Sequence, residues 1–190
     1  MTKSVSLCKL MIVFLKQKEI MKTCMFTGHR PQSLPFKFDE SDERCKKLKI
    51  LLSSIIRAQI ENGVTHFLSG MALGIDCYAA EIVLELRKEY PAVTLEAVIP
   101  CANQSSKWNG QQVMRYNKIL AQCDNKTILQ QEYTPYCMAK RNRYMVDHSD
   151  YVIAVWNGKN SGTGATVRYA VMKNLPITIL HPSTFVIDYL

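Results

Sequence analysis

The sequence predicts an α/β fold, a doubly wound and mostly parallel sheet with helices on both faces. Three observations carry that prediction. Short apolar runs of strand length alternate along the chain with longer segments whose apolar residues recur at helical spacing. The short runs are continuously apolar rather than alternating, as strands covered on both faces require. Neither an internal repeat nor a low-complexity segment interrupts the pattern.

Thr23 to Thr27, ending at Gly28, forms the first strand. Leu48, Leu51, Leu52, Ile55, Ile56 and Ile60 then mark an amphipathic helix. His66 to Ser69 is the second strand, and Ile75, Tyr78, Ala79, Ile82, Val83 and Leu86 share one helical face that closes before Pro91. Thr94 to Ile99 combines β-branched and apolar residues with the single charge of Glu96, and Pro100 stops it. A polar stretch from Asn103 to Gly110 leads into a helix over 111–122, followed by a fourth strand over 126–129. Tyr136 to His148 reads as helix, Tyr151 to Trp156 as strand, Thr163 to Lys173 as helix and Pro176 to Leu180 as the sixth strand. Strands separated by helices of this length run parallel and are joined by right-handed crossovers.

With 190 residues, 47% of them hydrophobic and 21% charged, the chain builds one folded core. The expected organisation is a leader over 1–20 and a single domain over 21–190. The leader's apolar stretch, Leu10 to Leu15, lies between Lys9 and Lys16; it is too short for a membrane span and lacks a signal-peptide cleavage site. It reads as an extra short helix or as read-through from an upstream start. Seven cysteines, odd in number and without a C-x-x-C pair, argue against a zinc site or disulfide framework and for a reduced, cytoplasmic compartment. No metal is expected. The 24 basic against 16 acidic residues, a net +8, favour nucleotides, nucleic acid or phosphorylated metabolites as partners, although solvated helix faces account for the excess equally well.

In an open α/β sheet the ligand crevice lies beyond the carboxyl ends of the strands, where helix starts offer unpaired N–H groups to anions. Four segments feed that edge. In "GKNSGTGATVRYA" (158–170), Gly158, Gly162 and Gly164 admit a ligand close to the backbone, while Ser161, Thr163 and Thr166 add hydroxyls at a helix start. The plainer reading is a capped connection. No G-K-[ST] ends this loop and no G-x-G-x-x-G follows the first strand, so P-loop hydrolysis and ordinary dinucleotide binding lose support. "FTGHRP" (26–31) places Gly28, His29 and Arg30 where an arginine can fork onto phosphate, against the alternative of a loop histidine and a structural ion pair.

On the helix over 136–148, Arg141 and Asn142 fall within or beside the stripe of Met138, Met145 and Val146. A buried guanidinium there needs a partner: a ligand, a strand-end carbonyl, or Asp147 and Asp150. "SGMALGID" (69–76) supplies Ser69, Gly70, Met71, Gly74 and Asp76. A carboxylate in a first helical turn repels phosphate but accepts hydrogen bonds from ribose hydroxyls; its alternative role is a helix cap. The expected division of labour is sugar at "SGMALGID" and phosphate at "TGHR" and "SGTGAT". Trp108 and Trp156 either stack on a base or pack with the indole N–H satisfied.

In this order "TGHRP", "SGMALGID", "NQSSKW" (103–108), "RNRYMVDHSDYVIA" (141–154) and "SGTGATVRYA" (161–170) resemble the YpsA-like family. That family lies in the Rossmann-like superfamily that also contains the DNA-processing protein DprA (Smf) and the Lonely Guy phosphoribohydrolases, and the resemblance covers residues 22–181. It implies a Rossmann-like domain recognising a nucleotide or nucleotide-derived small molecule, with no other cofactor required, as a sensor or a nucleotide-processing protein. DprA-like binding of single-stranded DNA is one alternative, suited by the net charge and by "KRNRY". Hydrolysis of nucleoside monophosphates, as in Lonely Guy enzymes, is another. Their P-G-G-x-G-T-x-x-E signature is incomplete here: Gly162 and Thr163 take the G-T places, but Thr166 stands in the place of the glutamate. A hydroxyl cannot act as that base or stabilise an oxocarbenium-like centre, which leaves Asp76 or Glu81 as carboxylate candidates and no catalytic residue named. Pairing into a homodimer is implied by the resemblance alone, and no membrane partner is expected.

Overall fold

The computed structural model describes residues 21–190, so the expected leader lies outside the described residues. The strands are β1 (Lys22–Gly28), β2 (Val64–Ser69), β3 (Thr94–Ile99), β4 (Asn125–Ile128), β5 (Tyr151–Val155), β6 (Ile177–Leu180) and β7 (Ile187–Tyr189). The helices are α1 (Glu43–Glu61), α2 (Ile75–Leu86), α3 (Gly110–Leu120), α4 (Cys137–Asp147) and α5 (Gly162–Met172), with a short 3-10 turn at Pro31–Ser33. Among the described residues no helix is long and apolar enough to cross a membrane.

One seven-stranded sheet runs in the order β4-β3-β2-β1-β5-β6-β7. All neighbours are parallel except β6 and β7. This is the expected doubly wound, Rossmann-like α/β fold. The strand order reverses between β1 and β5, whose ends lie abreast with Gly28 opposite Val155. The ligand crevice of such a sheet opens at that switch point.

The pleat sends alternate residues of a buried strand to opposite faces. Cys24 and Phe26 of β1 enter the core under α1, α2 and α3, where Leu48, Leu52, Ile56, Val83 and Ile119 pack. Met25 enters the second core, against Met145 and Val146 of α4 and Val167 and Ala170 of α5. Caps set the helix starts: Asp42 accepts the Arg44 N–H for α1, and Asn109 and Gln112 form a reciprocal capping box for α3.

The antiparallel β7 is absent from the sequence reading. Three residues show no periodicity, and β7 exists because the Leu190 and Ile177 backbones exchange hydrogen bonds along the β6 edge.

Candidate functional site

A cavity of about 300 Å³ opens at the switch point. The end of β1, Ala72 and Asp76, Arg141 and Asn142 of α4, and the start of α5 line it. Four segments far apart in sequence therefore converge on one site.

Asp76 and Arg141 are both buried, with side chains 8% and 6% exposed. Arg141 Nη1 lies 3.4 Å from Asp76 Oδ2 and donates to the Gly70 carbonyl, while Nε donates to Asn142 Oδ1 at 2.8 Å. Of the partners the sequence left open for this guanidinium, a strand-end carbonyl is one; Asp147 instead pairs with Lys173, and Asp150 accepts the Thr23 N–H. Burial pushes the Asp76 carboxyl above its ordinary range, opposed by the charges of Arg141 and Arg30 and by the Ala72 N–H. Burial likewise pulls Arg141 down, opposed by Asp76. Each ion thus depends on the other for its charge. Both protein contacts to the Asp76 carboxylate use Oδ2, at 3.3 Å from the Ala72 N–H; Oδ1 accepts no hydrogen bond among the described residues.

The rest of "SGMALGID" builds the support of this pair. Ser69 Oγ donates to the Asp76 carbonyl at 2.9 Å and accepts the Met71 N–H at 3.2 Å, and neither Ser69 nor Gly70 lines the cavity. A Cβ at Gly70 would fall on the Arg141 guanidinium and 2.7 Å from Asp76 Oδ2. Met71, fully buried at φ +55°, offers its carbonyl to Gln104 Nε2 at 2.6 Å. Gly74, at φ +92°, is itself the N-cap residue of α2, and a Cβ there would stand 2.8 Å from the His29 carbonyl. Asp76 is therefore not the cap of α2. The polar groups of Ser69 and Met71 are engaged by Asp76 and Gln104, and Gly70 and Gly74 make room for Arg141 and the His29 carbonyl.

The expected phosphate side divides similarly. A Cβ on Gly28 would meet the Ile75 side chain at 2.5 Å, so this glycine lets α2 pack against β1. His29 is buried, and its Nε2 accepts the Asn157 N–H at 3.3 Å, which makes it the neutral Nδ1–H tautomer. Burial is the chief reason its pKa lies below the ordinary value. It ties the β1 exit to the β5 exit and is no loose loop residue. Arg30, in contrast, is exposed beside the cavity, and its side chain has no hydrogen bond or ion pair among the described residues.

At α5, Ser161 Oγ accepts the Gly164 N–H at 3.1 Å, which leaves the Gly162 and Thr163 N–H groups without partners in the first turn. A Cβ at Gly164 would lie 3.1 Å from the Trp156 ring, so Gly164 serves packing. Thr166 Oγ1 donates to the Gly162 carbonyl at 2.9 Å and accepts from Asn142 Nδ2 at 2.8 Å; it lies in the groove between α4 and α5 rather than in the cavity. Its proton is thus engaged by the Gly162 carbonyl.

Glu81 is held by Arg115 of α3 and is not part of the cavity, so Asp76 is the carboxylate that remains there. Trp156 donates Nε1–H to the Lys159 carbonyl at 2.8 Å, and Trp108 packs edge-on against Tyr116 at 5.4 Å, so both tryptophans are packing residues. Thr27 and Ala72, within "TGHR" and "SGMALGID", also line the cavity, as do Gln32 and Ser33, whose only signal was adjacency to "TGHRP". Among the described residues no group of three His, Cys, Asp or Glu could hold a metal ion. A larger cavity of about 430 Å³ lies behind the Pro31–Ser33 turn, but its one arginine, Arg115, is paired, so an anion is better served at the switch point.

A family model described as the YspA SLOG family matches residues 24–183. The chain is 32% identical over 145 residues to a UPF0398 protein of Staphylococcus haemolyticus, covering 75% of this chain and 77% of that one. It is 32% identical over 137 residues to the SPbeta prophage-derived protein YoqJ of Bacillus subtilis, covering 65% and 80% respectively. Among solved structures it is similar to DNA processing protein A from Helicobacter pylori, described for its single-stranded DNA binding mode, with a TM-score of 0.58 and 21% identity. That match covers 84% of this chain and 65% of the other, less than two thirds of its length. The resemblance carried by the five sequence motifs is borne out.

Proposed function

We propose that this chain, which belongs to the YspA SLOG family, binds a nucleotide or nucleotide-derived small molecule in the switch-point cavity. One observation carries the reading. The unpaired guanidinium of Arg30 and the open N–H groups of Gly162 and Thr163 border the same small cavity as the free Oδ1 of a buried carboxylate, Asp76. The first set suits a phosphate, reinforced by the positive end of the α5 dipole. The second accepts hydroxyl protons and repels a second anion, which orients a ribose phosphate with its sugar toward Asp76. The Thr163 hydroxyl, unbonded among the described residues, adds a donor on the phosphate side.

The test is a thermal-shift series with nucleoside mono-, di- and triphosphates and ADP-ribose at millimolar concentration. A ligand present at about a hundred times its Kd stabilises the native state by about 2.7 kcal/mol. Arg30→Glu abolishes that shift; because the Arg30 charge also favours the Asp76 carboxylate, the unliganded Tm falls as well, by less than in Asp76→Asn. Absence of any shift across the series overturns the reading.

A second reading, single-stranded DNA binding, draws on the net charge of +8 and on what is described for the Helicobacter pylori protein. Titration of an oligonucleotide at several salt concentrations decides it: micromolar affinity with a steep salt slope would raise it above the small-molecule reading.

A further inference from the structure

The larger cavity lies among α2, α3 and the segment that carries Phe38 and Glu40. A thin partition separates it from the switch point: Arg30, Gln32 and Ala72 line the one cavity, and Pro31, Leu73 and Gly74 line the other. The two sites share a wall but no lining residue.

Its charges cancel. Arg115 donates Nε to Glu81 at 2.7 Å, and its other nitrogens bond Glu40 and Glu81. Lys49 Nζ sits 2.5 Å from Glu40 Oε2. Burial alone would raise the Glu40 pKa, but its hydrogen bonds to Arg115 and Lys49 outweigh this and keep it low. A phosphate entering here would meet an ionised carboxylate and no free cation. The site therefore selects an uncharged ligand.

What remains is apolar surface and amide donors. Asn109 Oδ1 accepts the Gln112 N–H at 2.9 Å, and Gln112 Oε1 accepts the Asn109 N–H at 3.2 Å. The capping box thus consumes both carbonyls and leaves both NH₂ groups for ring nitrogens or carbonyl oxygens. The Tyr78 ring already has Lys49 at 4.5 Å and Arg115 at 5.2 Å. Phe38, however, is 54% exposed at the rim with no aromatic partner, and it follows Lys37 in the left-handed region at φ +51°. A strained backbone that holds an aromatic in solvent beside a cavity is a feature of ligand clamps.

We propose that this cavity binds an uncharged aromatic heterocycle of nucleobase or nucleoside type, stacked on Phe38 and held by the Asn109 and Gln112 amides. It is a second site, independent of the phosphate-bearing ligand at the switch point.

Calorimetric titration of the full chain with adenine, guanine, hypoxanthine, cytosine, uracil and their nucleosides tests it. At least one binds the unmodified chain. Phe38→Ser, a substitution at an exposed position, weakens that ligand about tenfold, as loss of a stacking partner requires. Gln111→Trp, which fills the mouth from the exposed side, weakens it at least as much, and both variants keep the parent Tm. Arg30→Glu leaves the affinity within about twofold, a difference smaller than half a kcal/mol. No binding by any of these compounds at millimolar concentration overturns the proposal. So does binding that survives Phe38→Ser and Gln111→Trp, or binding that Arg30→Glu abolishes, since that places the heterocycle at the switch point. Neither a failure to bind nor binding that survives Phe38→Ser and Gln111→Trp touches the nucleotide reading, which rests on the Arg30-dependent thermal shift.

Discussion

Without the carboxylate of Asp76, the Arg141 guanidinium stays buried with only the Gly70 carbonyl and Asn142 as partners. Breaking a buried pair from one side costs about 3–5 kcal/mol, and an Asn that keeps the Ala72 hydrogen bond should stand at or below the low end. Asp76→Asn is therefore expected to lose stability as well as nucleotide affinity. Adding Arg141→Met should restore most of the stability without restoring binding, read from urea melts and the nucleotide thermal shift. Wild-type stability in Asp76→Asn alone would contradict the pair. His29 has the opposite kind of dependence, on protons. Its folded pKa lies below the ordinary 6.5, so the unfolded chain takes up the proton first as pH falls. Its contribution is intact above that value and is lost as pH drops through the lower, folded pKa. His29→Gln, which keeps an acceptor for Asn157, should flatten the acid side of the stability profile; an unchanged slope would mean that His29 is not buried neutral. Residue type alone hid these roles. Gly28 and Gly162 are both glycines at strand or helix ends, yet one abuts Ile75 and the other faces open space.

The helices meet at points that periodicity does not report. Asn142 Nδ2 and Thr166 Oγ1 join α4 to α5, and Thr166 in turn closes onto Gly162. Thr166→Val should cost about 1–2 kcal/mol, because it leaves the Asn142 amide unpaired, and should leave nucleotide affinity unchanged. Lost affinity at unchanged stability would return this hydroxyl to the phosphate site. The elements themselves were legible because covering both faces of a sheet writes apolar runs and helical stripes into the chain. Their ends moved by a residue or a few, as α1 did when Asp42 capped it ahead of its first apolar position. The Pro31–Ser33 turn and β7 were not legible, since neither is long enough to show a period.

Both helical layers pack on the same sheet, with successive residues of β1 entering different cores. Neither layer keeps its hydrophobic face covered if the sheet dissolves, so the molecule should unfold in one transition. The two tryptophans allow a direct check. Trp108 packs against the core under α1 to α3 and Trp156 against the core under α4 and α5. In Trp108→Phe and Trp156→Phe, fluorescence reports one layer at a time. Its melt should coincide with far-ultraviolet circular dichroism in both variants, and separated midpoints would show two independently unfolding layers.

The sequence by itself determined the α/β class, the succession of its first six strands along the chain, the family resemblance, and the four segments that meet at the carboxyl edge. These follow from burial patterns and from local chemistry, which a chain displays along its length. Only the tertiary structure decided which polar groups remain available. Arg141 finds the Gly70 carbonyl across 71 residues, and His29 finds the Asn157 N–H across 128. Such pairings consumed Ser69, His29 and Thr166 and left Arg30, Asp76 Oδ1 and the start of α5 open, because hydrogen-bond satisfaction belongs to groups brought together by folding.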